Sequence, residues 1–236
     1  MRTLAPPPEP RTSLPLPGAR TASLTAVLVV LLLVTVAVGW APLLSFDHTV
    51  AVELHRSARA EPGFTQVNRV FSDWVWDPWT MRILVAVAVV VLLWHGRRLL
   101  ALWVAAASVL GSGLQQALKS MVDRARPVWA EPVDTAQYAA FPSGHAMTAT
   151  VTCGLLLWLL SRTGAGPGLT RAAALVAAVS VLGVGFTRLY LGVHWFTDVV
   201  GGWLLGICLV ALTAWTYDRL ALNREPLNQE ALNREP

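Results

Sequence analysis

Long apolar runs alternate with short polar clusters along this chain. Leu24 to Leu44 carries no charged side chain and is long enough for a bilayer span of about 20 residues. Ile83 to Trp94 is shorter and reaches across when counted from Trp79, and Leu99 to Leu118 returns. Further runs at Ala146–Leu160, Ala172–Phe186 and Val199–Trp215 bring the predicted spans to six. Between the first two spans Phe64, Val67, Val70 and Phe71 recur at helical spacing among Gln66, Asn68 and Arg69. That pattern predicts an amphipathic helix on the membrane surface. Trp74, Trp76 and Trp79 mark an interface, and His95-Gly96-Arg97-Arg98 a tight basic turn. The expected fold is all-α: a six-transmembrane-helix bundle with an interfacial amphipathic helix in the first outer loop.

The ends differ from this body. Residues 1–20 are rich in proline and predict a disordered cytoplasmic tail. The first apolar run exceeds the 7–15 residues or so of a signal-peptide core, so it is expected to stay as an anchor. Residues 21–217 form the expected membrane domain. The polar tail over 218–236 carries Ala-Leu-Asn-Arg-Glu-Pro twice, at 221–226 and 231–236, too few copies for a solenoid.

Composition sharpens the class. The chain is 55% hydrophobic and 14% charged, against about 25% charged in soluble domains. Its 11 Trp against 3 Tyr suit interfacial anchoring. A net charge of +4 is assigned to loop arginines facing an anionic membrane surface, not to nucleic acid. Cys153 and Cys208 both lie in apolar runs, which predicts inert thiols and neither a disulfide framework nor a thiolate metal site. With six spans, Arg97, Arg98, Arg162, Arg171, Arg219 and the tail arginines share one side, expected to be the cytoplasm. Lys119, Arg124, Arg126 and Arg188 fall on the other, with Arg56, Arg59, Arg69 and Arg82 in the first outer loop, where the positive-inside pattern calls for few cations.

Those cations belong to three clusters. The first runs from Lys119 to Arg126-Pro127. Arginine forks match phosphate oxygens and lysine adds a compact charge, although cations at a span end also serve as surface anchors. The second is Phe141-Pro142-Ser143-Gly144-His145, a helix-start signal whose free N–H groups form an anion site. Alone it reads equally well as a capped helix with a chance histidine. The third is Thr187-Arg188 followed by His194 and Asp198. Four residues apart on a helix, these last two share a face, so the carboxylate can hold the imidazole while Nε2 acts as nucleophile; an interfacial ion pair is the alternative. Together the clusters supply what phosphoryl transfer needs: charge stabilisation, a nucleophile and an acid.

The spacing and order of the three clusters resemble the signature motifs of the type 2 phosphatidic acid phosphatase (PAP2) superfamily. The resemblance implies a metal-independent membrane phosphatase whose site faces the outer leaflet. It implies that His194 forms a phosphohistidine and is oriented by Asp198, and that His145 protonates the leaving group and then activates water. Lys119, Arg126, Arg188, Ser143 and the Gly144 amide are implied to hold the phosphate. Thr187 departs from the usual serine of the third motif and keeps the hydroxyl with a stiffer rotamer. Asp123 and Arg124 receive no role.

No cofactor is expected, and no cluster offers the carboxylates of a Mg²⁺ site. The expected partners are the bilayer and a lipid phosphate: a prenyl diphosphate of the undecaprenyl type, phosphatidic acid or phosphatidylglycerol phosphate. A transporter is the rival class, but transport sites draw on ionisable groups near the midplane, and here the charges sit at span ends. A phosphotransferase passing phosphoryl to an alcohol is the other alternative. The six-span reading predicts opposite sidedness for single cysteines placed at Val133 and Gly166, measured by labelling with a membrane-impermeant maleimide. Labelling from one side only removes it.

Overall fold

The computed structural model describes residues 18–232, with side chains as far as Leu220. The proline-rich stretch 1–17 and residues 233–236 lie outside the described residues. Helices follow one another as α1 (Ala19–Ala37), α2 (Ala41–Ala60), α3 (Pro62–Val70), a π-helical turn (Phe71–Val75), α4 (Pro78–Trp94), α5 (Arg98–Val122), α6 (Gly144–Ser161), α7 (Pro167–Tyr190) and α8 (Phe196–Leu232). Among the described residues six stretches are long and apolar enough to cross a membrane: α1, Pro62–Trp94, α5, α6, α7 and α8 as far as Leu220.

Local chemistry decides where the helices break. The first apolar run does not continue to Leu44. Gly39 sits at φ +67°, a left-handed helix ending that glycine tolerates without Cβ strain, and Pro42 opens α2. Leu43 and Leu44 therefore belong to the next helix. The Ile83–Trp94 run gains its length from upstream: Asp77 accepts from the Trp79 N–H at 2.7 Å and starts α4 ahead of the apolar segment. Phe64, Val67, Val70 and Phe71 are exposed, while Thr65, Asn68 and Ser72 are buried. The amphipathic helix thus turns its polar side to the protein and its apolar side outward.

α2 is not visible in the hydrophobic pattern. Its buried side is Asp47, Ala51, His55 and Ala58, a helical stripe of small and polar residues that hydropathy does not register.

Lipid tails are as apolar as leucine, so burial alone does not draw such helices together; close packing and small residues do. Away from the polar clusters, Val85, Leu100, Val104, Val151, Leu155, Trp158 and Val210 form the main core, joining α4, α5, α6 and α8. Nearer the clusters α6 and α8 approach at Gly202 and Gly206. A Cβ on Gly202 would lie 2.7 Å from the Ser143 carbonyl oxygen and 3.0 Å from the Met147 nitrogen. One on Gly206 would meet Thr150 at 2.7 Å. This four-residue glycine spacing lets α8 rest directly on the first turns of α6. Gly202→Val should therefore cost about 1–3 kcal/mol through overpacking, read as a lowered unfolding midpoint in detergent. An unchanged midpoint would mean the contact is loose.

Candidate active site

All three clusters meet at one end of the bundle. α5 delivers Lys119 in its last turn, and Asp123 in the left-handed region (φ 43°) turns the chain away. The loop then folds back on itself, the Ala140 N–H donating to the Arg124 carbonyl at 2.8 Å. Lys119 donates Nζ to the Ala139 carbonyl. Backbone carbonyls hold most of the Arg126 fork: Nε donates to Tyr138 (2.8 Å), one terminal nitrogen to Val193 (2.5 Å) and the other to Gln137 (3.0 Å). Arg188 ends α7 fully inside the protein, donating to the Ser72 hydroxyl at 2.7 Å. Among the described residues none of these three cations forms a salt bridge, whereas Arg124 forms two. Neutral dipoles fix Lys119, Arg126 and Arg188, and their charge stays available to an anion.

Ser143 occupies the N-cap position of α6, yet its side chain caps nothing. Its own N–H donates to the Asp198 carbonyl at 2.9 Å, tying α6 to α8. The Ser143 Oγ and the Arg188 Nε are buried with no partner among the described residues. Each such orphan costs about 1–3 kcal/mol, and both belong to the residues predicted to hold phosphate. The Gly144 position is closed by Gln115, whose Nε2 would lie 2.5 Å from an added Cβ. With no side chain there, Gln115 packs directly on the first turn of α6. His145 follows in the first turn, half-buried, within the field of Arg188, Arg126 and Lys119.

His194 sits in the short connection before α8 and is 2% exposed. Its Nε2 is 3.1 Å from an Arg126 nitrogen and its Nδ1 is 3.3 Å from Asp198 Oδ2. A guanidinium only donates, so Nε2 must accept and the ring proton lies on Nδ1, facing the carboxylate. That tautomer leaves the Nε2 lone pair directed into the cage. Burial, then the charges of Arg126, Arg188 and Lys119, hold the His194 pKa well below its ordinary value. Burial also lowers that of Arg126.

The predicted set is thus brought together: Lys119, Arg126, Ser143, Gly144, His145, Arg188, His194 and Asp198. Thr187 stands apart, its hydroxyl donating to the Val184 carbonyl of its own helix at 2.9 Å. Four residues that the motifs do not mark also reach this end. Ser72 anchors Arg188. Arg124, Asp47 and Thr197 form a hydrogen-bonded group behind Asp198. Arg124 carried one visible signal, a third cation within the first cluster. Asp47 carried only its position on a stripe of small residues.

A six-span helical bundle with an imidazole–carboxylate pair beside unneutralised cations at one end defines a membrane protein built to handle an anion. The sequence profile of the PAP2 superfamily matches residues 100–221, and the chain belongs to that superfamily. It is 37% identical over 102 residues to phosphatidylglycerophosphatase B of Bacillus subtilis, covering 42% of this chain and 49% of that protein. Identity to the Escherichia coli (strain K12) phosphatidylglycerophosphatase B is 41% over 99 residues, covering 41% of this chain and 35% of that protein. Undecaprenyl-diphosphatase of Sulfolobus acidocaldarius matches at 39% over 67 residues, 28% of each chain. The alignments therefore span half or less of these relatives. In fold, the chain resembles the crystal structure of a transmembrane PAP2-type phosphatidylglycerolphosphate phosphatase from Bacillus subtilis (TM-score 0.73, 23% identity, 84% of this chain and 96% of that one). The protein is an integral membrane protein of this fold.

The His194 environment generates a pH prediction. Protonation removes the Nε2 lone pair, and a depressed pKa keeps the ring neutral below the usual histidine range of about 6.5. If His194 is the reacting group, the acidic limb of kcat/KM should lie below that value. A limb at or above it would contradict the cage geometry.

Proposed function

We propose that this chain is a metal-independent lipid phosphatase working through a phosphohistidine on His194. The observation that carries the reading is the placement of His194, its Nδ1 3.3 Å from Asp198 and its Nε2 3.1 Å from Arg126, beside three cations that form no salt bridge among the described residues. The lipid phosphate enters with its oxygens on Lys119, Arg126 and Arg188, the Ser143 hydroxyl and the Gly144 amide. These groups stabilise the charge that develops on the equatorial oxygens.

In the first step Nε2 attacks phosphorus and the bond to the lipid or pyrophosphoryl oxygen breaks. His145 gives that oxygen its proton. Asp198 stabilises the charge that grows on the His194 ring. In the second step His145 takes a proton from water, the oxygen attacks phosphorus, the P–N bond breaks, and inorganic phosphate leaves. The cations do the electrostatic work that a bound metal does in other phosphatases.

The substrate class is a lipid phosphomonoester or diphosphate. Membership of the superfamily and the names of the relatives support this: phosphatidylglycerol phosphate and undecaprenyl diphosphate are the head groups to test first, with phosphatidic acid alongside. The reaction end faces away from the cytoplasm, a reading that takes Arg97, Arg98, Arg162, Arg171 and Arg219 at the opposite end as the cytoplasmic cations. In a bacterial cell that is the outer face of the plasma membrane.

The test is turnover and phosphoenzyme trapping in EDTA. Wild-type activity should survive the chelator. His194→Ala should abolish both turnover and trapping. His145→Ala should lose roughly 10²–10⁴-fold with lipid substrates and much less with p-nitrophenyl phosphate, whose leaving group needs no proton. Hydrolysis of lipid phosphate by His194→Ala would refute the proposal.

A further inference from the structure

Behind the Asp198 carboxylate lies a second, buried polar group that the three motifs do not account for. Arg124 donates from one terminal nitrogen to Asp198 Oδ1 at 2.7 Å and to the Thr197 hydroxyl at 2.6 Å. Its other terminal nitrogen donates to Asp47 Oδ2 at 2.7 Å. The arginine only donates, so the Thr197 hydroxyl accepts from it and passes its own proton to Asp47 Oδ2, also at 2.6 Å. Asp47 Oδ1 accepts the Thr197 N–H at 2.9 Å, a first-turn amide of α8 that the helix itself leaves without an acceptor. The Arg124 side chain is 12% exposed, that of Asp47 1% and that of Asp198 0%. The guanidinium also sits over the Trp195 ring, 5.6 Å from its centroid.

The consequence falls on His194. Asp198 Oδ2 faces the imidazole Nδ1 and accepts the Trp195 N–H at 2.8 Å. That contact alone leaves the carboxylate free to swing about its last torsion. Holding Oδ1 from behind removes the freedom. We propose that Arg124, anchored by Asp47 and Thr197, is a positioning residue that locks the Asp198 carboxylate against His194. The inference rests on His194 being the nucleophile. It makes α2, outside the matched superfamily region, part of the machinery that aims the imidazole.

A bidentate arginine between two buried carboxylates keeps charge alternating along the line His194, Asp198, Arg124, Asp47. Geometry and charge can therefore be separated by mutation. The charged and titratable groups facing the His194–Asp198 pair are Lys119 from α5, Arg124 and Arg126 from the loop, His145 from α6 and Arg188 from α7. Asp47 stands behind Arg124. Removing the Arg124 charge favours protonation of His194. Removing the Asp47 charge leaves Arg124 unbalanced and disfavours it.

The experiment is the pH profile of kcat and kcat/KM for the purified full chain in mixed micelles, with phosphatidylglycerol phosphate or undecaprenyl diphosphate. Arg124→Gln should lower kcat roughly 10–100-fold, the usual loss on removing an orienting partner, with KM little changed because Arg124 does not touch the phosphate. Its acidic limb should move up by about one pH unit. Asp47→Asn should move the limb down, and the double variant should return it towards wild type. Arg124→Lys, which keeps the charge without the fork, should lower kcat with the limb in place. If the glutamine variant cannot be purified folded, the lysine variant and Asp47→Asn decide. Limbs that stay put in both charge-removing variants, or move the same way, overturn the proposal, as does an Arg124→Gln kcat equal to that of a surface Arg97→Gln control. His194→Ala measured in parallel separates the two ideas: its turnover would refute the nucleophile assignment, whereas limbs that fail to diverge refute only the role of Arg124.

Discussion

Three like charges held together beside a neutral imidazole are the constraint on which this structure depends. Lys119, Arg126 and Arg188 repel one another, and burial adds a desolvation cost to each. Pairing them with carboxylates would relieve both effects and destroy the anion site. The protein uses neutral acceptors. Backbone carbonyls of Ala139, Tyr138, Gln137 and Val193 hold Lys119 and Arg126, and the Ser72 hydroxyl holds Arg188. The loop between α5 and α6 is thus a scaffold of carbonyls, and its irregular backbone is what frees them from helical hydrogen bonds.

Carboxylates appear one layer back. Asp198 and Asp47 both bond Arg124, whereas Lys119, Arg126 and Arg188 form no salt bridge among the described residues. The division lets one arginine orient an acid while the others stay unneutralised. It also explains how Asp198 can be fully buried: its oxygens are satisfied by Arg124, the Trp195 N–H and the His194 ring. Breaking one such partner leaves a charge buried without compensation, which is costlier than never having built the pair.

Packing between helices sets the distances at the site. Gly202 and Gly206 bring the α8 backbone against the Ser143 carbonyl and the first turns of α6. The Ser143 N–H then reaches the Asp198 carbonyl. Through these contacts the second and third motifs are held directly against each other. The apolar core formed by α4, α5, α6 and α8 steadies that unit away from the polar end.

The chain by itself determined the all-α class and the six spans, and it named the eight residues that the fold brings to one end. Apolar length is a local property, and the three clusters are short stretches whose residue types and spacing carry their chemistry. Helix ends were legible less well: Gly39 and Pro42 cut the first run short because backbone conformation, not hydropathy, ends a helix. Only the tertiary structure decided that the clusters converge, that Ser143 and Arg188 keep unpartnered polar atoms, and which His194 tautomer faces the cage. It alone joined Asp47 to Arg124 and Asp198 across more than 70 residues of chain. Such pairing leaves no trace in sequence because each partner, read locally, is an ordinary charged residue. What makes it functional is the burial and distance that folding imposes.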